Sequence, residues 1–129
     1  AATGLGDPLA EVASARGAAL AGAGPLERLA ALGGPDTAVL AGLILAAAST
    51  NTPVILDGYA TGAAALAAVA FAPAAAGYLI AAHAGAQPAI LRQLGLTPLY
   101  DVGLGHGDGS GAAMALPLID QVTALASGE

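Results

Sequence analysis

The sequence predicts an α/β fold: a Rossmann-like parallel sheet with Ala-rich helices on its faces, in a single domain over residues 1–129. Three observations predict it. Short apolar runs at 53–57, 77–81 and 98–102 stand between turn-formers, as strands covered on both faces do. Helical segments alternate with these runs, which is the pattern of right-handed βαβ crossovers. The composition is 57% hydrophobic but 3% aromatic, with 19 Gly. Ala and Gly bury little area each, so the stability of such a chain depends on close backbone packing.

The elements follow in chain order. Leu9, Val12, Arg16 and Leu20 fall at helical spacing after Pro8, and Gly22 and Gly24 close that segment. Pro25 suits a first helical position, Leu26, Leu29 and Leu32 make one apolar face, and Gly33-Gly34 stop it. Asp36 is expected to cap a helix carrying Val39, Leu40, Leu43, Ile44 and Ala47, buried on most of its circumference. The first strand, Pro53 to Asp57, turns at Gly58, and Thr61 is expected to cap an Ala-rich helix that must end before Pro73. A second strand at 77–81, a short helix from Pro88 to Leu94 closed by Gly95, and a third strand at 98–102 come next. The glycine-rich stretch Gly103 to Gly111 then leads into a last helix, Ala112 to Leu125.

Charge removes several classes of function. Three Arg, no Lys and nine acids leave a net charge of -6, so there is no basic surface for a nucleic-acid backbone. With no Cys there is no disulfide framework, thiolate nucleophile or zinc-thiolate site, which fits a cytoplasmic protein. The N-terminus shows no leader pattern. The uncharged run 58–82 is long enough to span a bilayer, but it is mostly Ala and Gly and is broken by Pro73. No membrane association is therefore expected.

Polar residues gather at the carboxyl ends of the expected strands, where open parallel sheets bind ligands. Asp57 stands there either to bond the amides of its own turn or to contact a ligand. His83 reads as a ligand contact or as a packed, satisfied residue, and Asp101 reads as structural. Five alternating glycines in 103–111 let the backbone approach something closely. Ser110 or Asp108 stands where a side chain can cap the final helix. A carboxylate at Asp108, held among glycines at a crevice, can also take a proton. His106 is its neighbour, either a partner or a solvated loop residue, and no metal-ligand spacing accompanies it. Gly107 to Ala112 also fits the loose dinucleotide pattern GxGxxA, without the acid expected about twenty residues on.

PLERLAALGG at 25–34, AVLAGLILAAA at 38–48, PVILDGY at 53–59, YLIAAH at 78–83 and GDGSGAAMALPLI at 107–119 occur in this order. Together they resemble the C-terminal part of the nicotinate-nucleotide:dimethylbenzimidazole phosphoribosyltransferase family. The resemblance implies nicotinate mononucleotide and dimethylbenzimidazole as substrates, no cofactor or metal, and a homodimer. It also implies that Asp108, where the family usually has Glu, is the base that deprotonates the azole. Gly107, Gly109, Ser110 and Gly111 would then stand at the substrate, with Asp57 and His83 lining the crevice. A non-catalytic nucleotide-binding or subunit-interaction module on the same scaffold is the second reading.

Overall fold

The computed structural model describes residues 15–84, 88–103 and 107–128. Residues 15–19 are helical (α1); the positions of Leu9 and Val12 lie outside the described residues. Then come α2 (Pro25–Leu32), α3 (Pro35–Ser49), β1 (Val54–Leu56), α4 (Tyr59–Phe71), a 3-10 turn (Pro73–Tyr78), β2 (Leu79–Ala81), α5 (Pro88–Leu94) and α6 (Ser110–Ser127). β1 and β2 pair in parallel, with Val54 beside Leu79, Ile55 beside Ile80 and Leu56 beside Ala81. The fold is mixed α/β with a small parallel sheet, as expected.

Prolines and glycines set most helix boundaries. Pro25, Pro35 and Pro88 each open a helix, because a first-turn residue needs no amide and proline already holds the helical φ. For this reason α3 is capped by Gly34 and not by Asp36, which lies inside the first turn and there faces the positive end of the helix dipole. Ahead of Pro73, Ala72 is extended and ends α4. Pro73 then starts a 3-10 turn that takes Gly77 and Tyr78 out of the expected second strand.

The core joins Ala41 and Ile44 of α3, Leu56 of β1, Ala64, Ala65 and Ala68 of α4, Leu79 of β2, and Ile90 and Leu94 of α5. α3 and α4 pack most extensively, with alanines on α4 letting the two backbones approach. α3 is less covered than expected: Val39 and Leu43 are 63% and 60% exposed. Its apolar residues run all the way round, whereas among the described residues its neighbours cover one side. An apolar cavity of about 410 Å³ lies between α3 and β1, lined by Leu40, Leu43, Ile44 and Ala47, with Thr61 its polar side chain.

The third strand is reduced to a single parallel bridge between His83 and Tyr100. Leu99 donates its amide to Ala81 (3.0 Å) and Tyr100 its amide to Ala82 (3.3 Å), while Ala84 donates to Tyr100 (3.2 Å). The segment thus extends the sheet beyond β2 for two residues and then leaves it at the exposed Asp101. Among the described residues no helix is long and apolar enough to cross a membrane.

Candidate active site

Three chain segments converge beyond the carboxyl ends of the strands. β1 stops at Leu56 and is followed by Asp57 and Gly58. Gly58 has φ +122°, and a Cβ there would lie 2.9 Å from the Cα of Gly107. Only glycine therefore lets the glycine-rich loop close onto the end of β1. Thr61 lies inside the first turn of α4 and is not its cap. Its hydroxyl donates to the Gly58 carbonyl (3.0 Å) and accepts the Asp57 amide (3.0 Å), fixing the turn from the helix side.

Asp57 and His83 are buried, at 6% and 1% exposure. Among the described residues the Asp57 carboxylate makes no bond to its own turn. Oδ2 instead accepts the amide of Gly109, 52 residues away, at 2.6 Å. Oδ1 lies 3.1 Å from Nε2 of His83. This is a close polar contact that falls outside hydrogen-bond geometry. Nδ1 of His83 is buried with no hydrogen-bond partner among the described residues. The His83 ring stacks on Tyr100, with centroids 6.4 Å apart and planes 15° from parallel. The Tyr100 hydroxyl in turn donates to the Gly111 carbonyl. Gly111 is pressed between these groups: a Cβ would overlap Asp57 Oδ1 and His83 Cδ2.

The helix α6 begins two residues earlier than expected. Gly109, in the left-handed conformation, is its cap, and Ser110 is its first residue. The capping oxygens come from the two aspartates: Asp57 takes the Gly109 amide and Asp108 Oδ1 takes the Ser110 amide at 3.0 Å. Asp108 itself is exposed. Two carboxylates thus stand at the positive end of an 18-residue helix, a favourable placement for negative charge. Asp101 is exposed and reaches the amide of Gly103 at 3.5 Å, a local loop contact. His106 lies outside the described residues. Among those described, no group of three His, Asp or Glu is placed to hold a metal ion.

Tyr100 is the site residue that reading the sequence missed, because as part of an apolar run it reads as a strand position. Partial burial, and secondarily the Asp57 carboxylate, raise its phenol above the ordinary value of 10.0. The hydroxyl therefore stays protonated and donating at neutral pH. A group held more tightly protonated in the folded state gives its full stability below the unfolded pKa and loses it as pH rises through the folded one. Tyr100→Phe is expected to lower stability by about 1 kcal/mol at neutral pH, the scale of one hydrogen bond. That deficit relative to the parent should shrink only above about pH 10. Thermal unfolding of both proteins across pH 7–11 checks this, and a deficit that closes below pH 9 would contradict it.

A parallel α/β domain with its polar groups held at the strand carboxyl ends, against a glycine loop and a helix N-terminus, belongs to the class of Rossmann-like α/β domains. Residues 9–128 match the phosphoribosyltransferase family, and the chain belongs to that family. It is 54% identical over 100 residues to the nicotinate-nucleotide–dimethylbenzimidazole phosphoribosyltransferase of Salinispora tropica, covering 75% of this chain and 28% of the relative. It is 46% identical over 109 residues to the enzyme of that name from Pseudomonas aeruginosa, covering 82% and 31%. The crystal structure of the enzyme of that name from Thermus thermophilus superposes with a TM-score of 0.76 at 38% identity, over 82% of this chain and 34% of that one. The chain therefore spans about a third or less of the length of the relatives it matches.

Proposed function

We propose that this protein transfers phosphoribosyl from nicotinate mononucleotide to 5,6-dimethylbenzimidazole, giving α-ribazole phosphate and nicotinate, with Asp108 as the base. The observation that carries this reading is an exposed carboxylate on a loop fixed from behind, in a chain whose relatives bear that activity in their names. Asp108 takes the N–H proton of the azole. The freed nitrogen pair attacks the anomeric carbon while the bond to the pyridinium nitrogen breaks, and that bonding pair leaves with nicotinate. The charges balance without a cofactor or a metal, since the pyridinium is already an electron-deficient leaving group.

The electrostatics favour a heterocycle over a phosphate at this end of α6. The amides of Gly109 and Ser110, which an added anion would need, are already bonded to Asp57 and Asp108. A phosphate here would also meet two carboxylates. In the proposed site Gly107, Gly109, Ser110 and Gly111 lie along the azole and ribose, the glycines allowing close approach. Asp57 and His83 form the floor of the crevice. The protein is proposed to act in the cytoplasm as a homodimer. The exposed apolar side chains of Met114, Val122 and Leu125 on α6 are of the kind an interface covers.

Incubating the protein with nicotinate mononucleotide and dimethylbenzimidazole should yield α-ribazole phosphate, detected by chromatography against a standard. No product, together with no saturable binding of either substrate, would overturn the reading.

A further inference from the structure

We propose that Asp57 is a positioning residue for the Asp108 loop: it grips the Gly109 amide, with His83 and Tyr100 completing the clamp. The inference rests on Asp108 being the base. The carboxylate of Asp57 touches the residue immediately after Asp108, at 2.6 Å and from a part of the chain 52 positions away. Two residues further on, Tyr100 holds the Gly111 carbonyl. The Asp108–Gly109 peptide is thereby tied to the end of β1 and the Gly111–Ala112 peptide to the sheet edge.

His83 closes the arrangement. Its Nε2 side faces Asp57, its ring lies over Tyr100, and its other nitrogen is buried without a partner among the described residues. His83 is almost fully buried, and its ring packs against the Asp57 carboxylate that accepts the Gly109 amide. Asp57 has one oxygen committed to the loop and the other against His83, so it acts on the reaction only through where Asp108 stands. A displacement of about 1 Å at a reacting group costs on the order of 10²-fold in rate. This clamp has the leverage to impose or prevent such a displacement.

The test compares Asp57→Leu, which fills the space but accepts no hydrogen bond, with Asp57→Asn, which keeps an oxygen for Gly109. Asp57→Leu should lower kcat about 10²-fold with little change in KM for either substrate, and Asp57→Asn should recover most of that loss. The Gly109 amide, read by 15N–1H NMR without substrate, should be shifted downfield and protected from exchange in the parent. It should lose both properties in Asp57→Leu and retain them in Asp57→Asn. An Asn variant as impaired as the Leu variant would overturn the proposal, as would a rise in KM at constant kcat, either marking Asp57 as a substrate contact. A Gly109 amide unchanged in Asp57→Leu would overturn it too. If Asp57→Leu does not fold, Tyr100→Phe takes its place, with the same kcat-only loss expected. The amide readout needs no turnover, so failure of Asp108 as base would appear separately, as an active Asp108→Asn protein with the clamp intact.

Discussion

Gly111→Ala is expected to be among the most destabilising single-atom additions available in this chain, costing roughly 3 kcal/mol, the upper end for overpacking. The added methyl has nowhere to go. It would overlap the Asp57 carboxylate and the His83 ring edge and stand 2.8 Å from His83 Nε2. Neither neighbour is the free end of a flexible chain. Asp57 is held by Gly109 and His83 is enclosed at 1% exposure. Relief requires α6 to back away from β1, which would break the Asp57–Gly109 and Tyr100–Gly111 hydrogen bonds together. For a domain of this size the loss corresponds to a melting temperature lower by roughly 10–15 °C. Gly42→Ala is the matched control. Gly42 lies within α3 with open space where a Cβ would sit, so the same substitution should stabilise by about 0.5–1 kcal/mol. Circular dichroism melts of the two variants with opposite signs are the expected result. Equal and small shifts would mean that α6 is not seated on Asp57 and His83.

What could be read from the sequence divides along the range of the interactions. Pro25, Pro88 and Gly95 act on their own backbones, so the ends of α2 and α5 were legible one residue at a time. Asp36 and Thr61 misled because a good capping side chain was outcompeted by a glycine two or three positions earlier, with Pro35 fixing the start in one case. The third strand failed for another reason. Leu99 and Tyr100 make only two sheet residues of hydrogen bonding before the chain turns away, and no apolar run reveals how much of its length will be paired. The polar ends of the strands were legible as a place, because Asp57, His83 and Asp101 punctuate apolar runs. Which of them would meet was not. The Asp57–Gly109 contact spans 52 residues and depends on Gly58 and Gly107 touching, which no local pattern encodes. Tyr100 was invisible for the same reason: its partner Gly111 lies across the loop.

Asp108→Asn should nearly abolish turnover while leaving the fold as it is, and the local geometry explains why the two effects separate. Among the described residues the carboxylate accepts the Ser110 amide at the start of α6, and on the proposed reading it also takes the azole proton. An Asn oxygen accepts the same amide, and Asn caps helices about as well as Asp, so stability should move by less than about 0.5 kcal/mol. The amide has no basicity at neutral pH, so the rate should fall by about 10²–10⁴-fold, the worth of a placed general base. Asp108→Ala separates the roles from the other direction: it should lose the same catalysis and also about 1 kcal/mol of stability as the Ser110 amide loses its acceptor. Asp108→Glu keeps the base but adds a methylene, which moves the carboxylate beyond the short loop back to Ser110. It should therefore turn over well above the Asn protein while melting closer to the Ala protein. These three variants, assayed for α-ribazole phosphate and melted side by side, give a pattern that no purely structural role reproduces. An Asn variant with parental rate would remove Asp108 from the chemistry, and an Asn variant that melts like the Ala protein would show that the charge, and not the oxygen, holds the start of α6.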